Sequence, residues 1–152
     1  MSYVDKVLQP GETVKARVTF HWVIYLSGLI ALAVGAALAV AGQAAPRFVL
    51  GIDILALAPA AIGLVLILRA WFRQWGTEIA VTDHRVIYKT GIISRRTVEM
   101  HVDQIESVEV EQSIPGRILG YGDIVLRGTG EGAETIRQVA DPLSVRSAIT
   151  AR

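Results

Sequence analysis

The stretch VIYLSGLIALAVGAALAVAG, residues 23–42, and the stretch VLGIDILALAPAAIGLVLIL, residues 49–68, determine the architecture of this chain. Each is 20 residues long, and together they contain one charged side chain, Asp53. At a rise of about 1.5 Å per residue, a helix of this length crosses a hydrocarbon core of about 30 Å. A buried helical pair in a soluble protein would require polar residues at helical spacing, and neither stretch has them. The sequence therefore predicts two transmembrane helices.

Residues 43–48 connect the two stretches and include Pro46, so the predicted helices are antiparallel neighbours. Basic residues lie mainly outside the pair, and the connection holds one, Arg47. By the positive-inside bias we expect a multi-pass protein of the cytoplasmic (inner) membrane with both termini cytoplasmic. The outer basic residues are Lys6, Lys15, Arg17, Arg69, Arg73 and Arg85. The aromatic residues expected at that interface are Trp22, Tyr25, Trp71, Phe72 and Trp75, with Trp22, Trp71 and Trp75 as the anchors.

A cleaved signal peptide is an alternative interpretation of the first stretch, because the small residues from Ala39 to Gly42 end it. However, 22 residues with a strand-like pattern precede it. The stretch also exceeds the roughly 7–15 residues of a typical signal-peptide core. A second stretch of equal length follows, so we expect the first to remain as a membrane helix.

Small residues recur along one face of each predicted membrane helix. Such faces let helix backbones approach closely where lipid supplies no hydrophobic drive. The partner of this face is either the other helix or a second copy, and the general abundance of small residues in membrane helices is the simpler explanation. The predicted packing residues are Ser27, Ala31, Gly35, Ala39, Ala56, Ala60 and Gly63.

Asp53 is an intramembrane carboxylate, and such groups are candidates for ion or substrate pathways. It lies four residues inside the second stretch, near the outer interface. There, water and Arg47 can hydrogen-bond to the carboxylate and balance its charge. Pro59 removes one helical hydrogen bond and predicts a kink. A small channel or transporter subunit is the least favoured functional alternative, because few polar groups line the predicted helices.

Outside the two stretches the apolar residues alternate as in β-strands. Residues 13–20 alternate cleanly after Pro10-Gly11, and we expect this strand to pair with a later sheet, since a lone strand is unstable. Asp141 and Pro142 predict the start of a final helix. The six further predicted strands cover residues 77–82, 85–90, 95–101, 107–112, 123–127 and 134–139.

These patterns predict an α+β membrane protein with three parts. Residues 1–21 form a cytoplasmic N-terminal segment with one strand, residues 22–75 a transmembrane hairpin, and residues 76–152 a cytoplasmic antiparallel β-barrel. The barrel has about seven strands, the first strand included, and is closed by a C-terminal helix. The segment from Gly76 onward contains nine Lys or Arg residues and eleven Asp or Glu residues, so its net charge is slightly negative. We therefore expect no nucleic-acid partner.

Short motifs follow one another in order along nearly the whole chain. They are Gly11-Glu12, His21-Trp22, Thr82-Asp83-His84-Arg85, Gly91, Ser94-Arg95-Arg96, Ile105-Glu106-Ser107-Val108 and Arg117-Ile118-Leu119-Gly120-Tyr121-Gly122. Together they resemble the bacterial pleckstrin-homology-like (PH-like) domain membrane proteins of type 2. The resemblance implies a PH-like barrel of about seven strands closed by a C-terminal helix, and it implies no catalytic residue.

The residues give little support for catalysis or for a bound cofactor. His21, His84 and His101 lie in different predicted elements and lack metal-ligand spacing, and the chain has no cysteine. The loop from Gly128 to Gly132 joins two strands, so we interpret it as a hairpin turn and not as a phosphate-binding loop. No serine lies in a nucleophile elbow, and no paired carboxylates suggest a general acid and base. We expect a protein that is not an enzyme and has no metal or cofactor.

Four cations lie within twelve residues: Arg85, Lys89, Arg95 and Arg96. Near a membrane surface, each of these cations would contribute about 1 kcal/mol to the free energy of binding to anionic phospholipid. The alternative is a solvated face balanced by neighbouring acids. Those acids are Glu78, Asp83 and Glu99.

Assembly is the leading functional hypothesis. The small-residue helix faces and exposed strand edges both favour a homo-oligomer that presents cytoplasmic domains to an unidentified protein partner. The sequence thus predicts a membrane-anchored interaction module, with anionic phospholipid binding as the alternative.

Overall fold

The computed structural model describes residues 3–44, 49–92, 94–129 and 132–151. The side chains of residues 49, 50, 52 and 53 lie outside this description, as do residues 45–48, so the roles considered for Asp53 and Arg47 fall outside it. The chain divides into two compact units. One contains Met1–His21 and Arg73–Arg152, and the other contains Trp22–Phe72. The first unit is therefore built from two separate segments of sequence.

Five α-helices occur in the described ranges. They are α1 (Tyr3–Val7), α2 (Leu26–Gln43), α3 (Val49–Gly76), α4 (Ile114–Leu119) and α5 (Pro142–Thr150). Short 3-10 turns at Trp22–Tyr25 and Val102–Gln104 join neighbouring elements.

Two helices are long and apolar enough to cross a membrane, over Trp22–Gln43 and Ile54–Gly76, with mean hydropathies of 2.4 and 2.1. Their most apolar windows are 22% and 17% buried, whereas the core helix of a soluble protein is mostly buried. Large apolar side chains such as Val40 and Leu57 are 69% and 67% exposed. A helix that is apolar all round and exposed fits a lipid environment.

Seven strands in the described residues form two antiparallel sheets. The first sheet has the order β1 (Val14–Val18), β2 (Glu78–Thr82), β3 (Arg85–Thr90) and β4 (Arg96–His101). The second has the order β5 (Ile105–Glu111), β6 (Tyr121–Gly128) and β7 (Ala133–Ala140).

The predicted α+β class and the strand count agree with the structure, but the predicted closed barrel needs correction. In the described residues the two sheets do not form one continuous barrel. Strands β4 and β5 are separated by the 3-10 turn at Val102–Gln104 and do not pair. On the opposite side, one bridge in the described part of the chain joins Phe20, which follows β1, to Val139 of β7.

The N-terminal strand pairs with the later sheet as expected. Ala16 lies opposite Val81, and Val18 opposite Ile79. Strand β1 also approaches the C-terminal helix, since Lys15 Nζ donates to the Ala151 carbonyl over 2.9 Å. The two paired strands β1 and β2 flank the apolar hairpin in sequence, so the hairpin is an insertion into a β-hairpin connection.

The core lies between the two sheets and α5. Its fully buried side chains come from both sheets, and Val145 and Ile149 of α5 are buried with them. Asp141 caps α5 by accepting from the Ser144 backbone N–H, and Pro142 occupies the first turn, as predicted. The largest fully buried aliphatic side chains are Val81, Ile87, Ile124, Ile136 and Val139.

Candidate functional site

Glycines of α2 meet small residues of α3 inside the helical unit. A methyl group at Gly63 would lie 2.8 Å from the Gly28 carbonyl oxygen, closer than carbon and oxygen can approach. At Gly35 the same group would lie 3.1 Å from the Ala56 oxygen and 3.2 Å from the Ala60 Cβ. The absence of side chains on Gly28 and Gly63 therefore permits the observed helix contact.

The residues of the predicted packing face differ in their exposure to solvent. Gly35, Ala56 and Gly63 are buried, and Ala31, Ala39 and Ala60 are partly buried. Ser27 is exposed, and its neighbour Gly28 is buried in its place. The buried glycines of α2 are spaced by seven residues, at Gly28, Gly35 and Gly42, and the prediction from a four-residue spacing missed two of them.

Arg85 is buried, and its charge is neutralised by two carboxylates, Glu12 from the segment before β1 and Glu99 from β4. Its Nε and Nη2 lie 3.1 and 3.0 Å from the two oxygens of Glu12, and its Nη1 lies 2.6 Å from Glu99 Oε2. The Arg85 and Glu12 side chains are only 10% and 2% exposed. Nη2 also donates to the Val7 carbonyl over 2.8 Å. This bidentate pair fastens the N-terminal segment to the first sheet.

The carboxylate of Glu12 is held in its charged form. Burial raises its pKa, but hydrogen bonds from the Arg85 side chain, the Gln9 N–H and the Thr82 hydroxyl outweigh burial and lower the pKa to about 2. The Thr82 Oγ1 lies 2.7 Å from Glu12 Oε1. The hydrogen bond to Glu12 and the charges of Glu99 and Glu12 raise the pKa of Arg85, although burial lowers it. We therefore assign Glu12 and Arg85 a role in stabilising the fold.

The four cations of the sequence cluster do not share one surface. Arg85 lies opposite His101, while Arg96 pairs with Thr90 at the other end of the same β-hairpin. Lys89 is 12% exposed, with Nζ 3.7 Å from Glu78 Oε1. Two of the acids considered as balancing charges, Glu78 and Glu99, are thus ion-paired to members of the cluster.

Arg95 and Arg96 are the exposed members of the cluster. The Arg96 side chain is 74% exposed and lies 3.4 Å from Glu134. Arg95 is exposed and makes no ion pair with any residue that the structure describes. Arg95 lies in the connection between β3 and β4, and Arg96 is the first residue of β4. In that connection the Ile92 side chain lies against Gly76, at the C-terminal end of α3, where a methyl group on Gly76 would meet it at 2.7 Å.

Gln138 joins the two points at which the β-unit continues into the apolar helices. Its carbonyl accepts from the His21 N–H over 2.8 Å, and its side-chain oxygen accepts from Arg73 Nη1 over 3.1 Å. The residue has a φ of 59°, a left-handed conformation that few non-glycine residues adopt. Its own N–H donates to Asp123 Oδ1 over 2.8 Å, which holds this conformation. No feature of the sequence pointed to Gln138.

Trp22, Trp71 and Trp75, the predicted interface anchors, are all on the protein surface. They are 51%, 49% and 65% exposed. The Trp71 ring contacts the edge of Phe72, with 5.1 Å between centroids. Exposed tryptophans near the ends of apolar helices are typical of a membrane–water interface.

The histidines lie apart and have different partners. The His21 ring stacks on Tyr121 at 5.2 Å, and His84 Nδ1 lies 2.9 Å from Asp83 Oδ1. That contact raises the pKa of His84 and, with the Thr13 N–H, lowers the pKa of Asp83 to about 2. His84 and His101 line a cavity of about 370 Å³ that carries charges of both signs. Among the residues that the structure describes, no His, Asp and Glu side chains form a group that could hold a metal ion.

Strand β5 presents a free edge beside α5. In the described residues it pairs with β6 on one side and with no strand on the other. A groove of about 150 Å³ lies along this edge, lined by Ile105, Ser107 and Val108 of the strand and Ile149 and Thr150 of α5. Strand β4 has a similar free edge in the first sheet.

Comparison with known proteins identifies the family. The family model described as Bacterial PH domain matches residues 22–152. Searches of the curated proteins and of the solved structures gave no significant match. The matched range includes both apolar helices and all strands after β1. On this match, and in agreement with the fold, the chain belongs to the bacterial PH domain family.

Proposed function

We propose that this chain is a membrane-anchored PH-like interaction module without catalytic activity. The apolar hairpin anchors it in the inner membrane, and its PH domain is presented at the cytoplasmic surface. The domain binds a strand of a protein partner at the free edge of β5. The first partner is a second copy of the chain, which makes the protein a homo-oligomer.

The observation that carries this proposal is the edge of β5 together with its groove. A free strand edge offers a row of N–H and C=O groups to an incoming strand, and neighbouring pockets then select its side chains. The groove between β5 and α5 offers both apolar and polar contacts, through Ile105, Val108 and Ile149 and through Glu106, Ser107 and Thr150. This edge thus supports binding of an extended segment.

Charge favours a second copy as the source of that segment. Strand β5 carries exposed acids, and Glu109 is paired with Arg127 at 3.1 Å. The free edge of β4 begins at the exposed cations Arg95 and Arg96. Pairing of β4 in one copy with β5 in the next matches these charges. The contact is heterologous, so repeated copies form a ring or a filament. The exposed acids on β5 are Glu106, Glu109 and Glu111.

Cysteine cross-linking tests this pairing directly, because the chain has no native cysteine. Full-length Thr97→Cys and Ser107→Cys variants, co-expressed in one membrane, are expected to form a disulfide-linked dimer under mild oxidation. Neither variant alone is expected to do so. Lys15→Cys combined with Ser107→Cys is the control, since Lys15 is exposed on β1. Equal yields from the test and control pairs would contradict the proposal.

Anionic phospholipid binding is the second candidate, and the contact of Ile92 with Gly76 favours it. This contact holds the exposed Arg95 and Arg96 close to the end of an apolar helix, where headgroups are expected. A fluorophore on Ser94→Cys, in nanodiscs with and without phosphatidylglycerol, reports on that contact. We expect phosphatidylglycerol to change the emission of this label. The double variant Arg95→Gln, Arg96→Gln should abolish the change, and the control variant Lys15→Gln should preserve it. No response to phosphatidylglycerol would contradict this candidate.

A further inference from the structure

Helix α4 exposes aliphatic side chains that the family assignment does not explain. Ile114 and Ile118 are each 79% exposed, and Leu119 is 43% exposed. Leu143 at the start of α5 is 54% exposed. We propose that these four residues, the α4 patch, insert into the lipid–water interface of the membrane that holds the hairpin. This inference rests on the proposed membrane anchorage and is independent of the β5 edge.

Hydrogen bonds fix the two ends of α4, which lies between β5 and β6 of the second sheet. Ser113 caps the helix, with its Oγ accepting from the Gly116 N–H over 3.3 Å. Gly120 ends it in the left-handed conformation at a φ of 77°, which favours glycine. Gln112 Nε2 donates to the Tyr121 carbonyl over 3.0 Å, which fixes the connection from β5. The exposed aliphatic side chains therefore project from a defined turn.

The patch lies at the end of the domain from which the chain enters the first apolar helix. Tyr121 follows the α4 cap directly, and its ring stacks on His21. His21 immediately precedes Trp22, the first residue of the apolar span. The Gly120 carbonyl accepts from the Asp141 N–H over 3.0 Å, which brings Leu143 to the same end. The α4 patch thus lies close to His21, the residue at which this domain continues into the apolar span.

The residues around the α4 patch favour contact with lipid, but they do not favour attraction of the patch to anionic headgroups. Glu111 and Asp123 line the groove next to Tyr121 and would repel anionic lipid. Arg117 within α4 is exposed and can reach the headgroup layer while its aliphatic neighbours enter the acyl region. We therefore expect insertion driven by the apolar side chains and little affected by lipid charge.

The test uses full-length single-cysteine variants in vesicles of phosphatidylcholine, each labelled with an environment-sensitive fluorophore. The label on Ile118→Cys should show blue-shifted emission, quenching by spin-labelled lipid and protection from iodide. A depth of about 5–10 Å is typical of interfacial segments. The label on Asp103→Cys, exposed in the turn before β5, should show none of these changes. Adding phosphatidylglycerol should leave both results unchanged.

Two results would overturn the inference, and a third labelled variant shows which of the two has occurred. This variant is Ile30→Cys, since Ile30 lies inside the apolar span Trp22–Gln43 and is 55% exposed. In the first result, spin-labelled lipid quenches the label at position 30, and iodide quenches the labels at positions 118 and 103 equally. The hairpin is then in the membrane, but the α4 patch faces water or a protein, and the inference is wrong. If lipid does not quench position 30, the proposed anchorage itself fails, and the inference fails with it.

Discussion

Glu12 and Arg85 form a buried ion pair, with 3.0 Å between Oε2 and Nη2, although 73 residues separate them in sequence. The apolar hairpin lies between them in the chain. The pair therefore joins the segment before the hairpin to the segment after it, and the PH domain is assembled from both. This relationship gives the N-terminal residues a structural role that the family match over residues 22–152 does not include.

Replacing Glu12 by Gln should destabilise the PH domain by about 3 kcal/mol, because it leaves the buried Arg85 guanidinium with Glu99 as its remaining carboxylate. Urea unfolding in detergent, followed by circular dichroism, measures this loss. Asp5→Asn is the matched control, because its ion pair with Arg17 is 44% and 55% exposed. We expect about 1 kcal/mol or less for that control. Equal losses in the two variants would contradict the structural role of Glu12.

Acid should destabilise the domain between about pH 4.5 and pH 2. The pKa of Glu12 falls from its usual 4.5 to about 2 on folding, and that of Asp83 from 3.8 to about 2. A carboxylate whose pKa is lowered in the folded state stabilises it above the unfolded pKa, and this stability is lost as the pH falls. The urea midpoint measured against pH should decrease through this range. Glu12→Gln should flatten the decrease, and an unchanged slope would show that other groups dominate.

The helix contact should be sensitive to a single methyl group at Gly63. We expect Gly63→Ala to weaken the α2–α3 contact by about 1–3 kcal/mol, because the methyl would lie 2.8 Å from the Gly28 oxygen. Gly51→Ala is the control on the same helix, since no atom that the structure describes lies within 4 Å of a methyl there. Unfolding in mixed micelles with increasing SDS measures the difference. A variant at position 63 as stable as that at position 51 would argue against the observed packing.

Both ends of the hairpin should lie on one side of the membrane, because β1 and β2 pair directly. We expect Asp103→Cys to react with a membrane-impermeant maleimide only after the inner membrane is permeabilised. Gln43→Cys, at the end of α2, should react in spheroplasts without permeabilisation. The reverse pattern would place the PH domain outside the cytoplasm. Reaction of both residues from one side would contradict a membrane-crossing hairpin.

Local patterns predicted much of the fold. Alternation at residues 13–20 predicted β1, and the Asp141-Pro142 pair predicted the start of α5. Each of these signals depends on neighbouring residues, which a sequence displays directly. The free edges of β4 and β5 were expected only in general terms, because strand order depends on contacts that are distant in sequence.

The candidate site was harder to predict, because it also depends on contacts between residues that are distant in sequence. Arg85 was grouped with Arg95 and Arg96 by closeness in sequence, yet its burial depends on Glu12. The helix-packing face was assigned by a four-residue spacing, whereas Gly28 and Gly35 repeat at seven. The exposure of Ile114 and Ile118 could not be foreseen, since apolar residues in a short turn are compatible with burial or exposure.

The mass of the full-length chain in mild detergent, measured by light scattering and corrected for bound detergent, tests the proposed function most directly. Assembly through the β4 and β5 edges predicts a mass above 16.4 kDa, which is a discrete multiple if the copies close into a ring. Glu106→Lys on the β5 edge should shift the mass toward the monomer, and Asp103→Lys outside the edge should not. A monomer of 16.4 kDa for the unmodified chain across concentrations would contradict the assembly proposal.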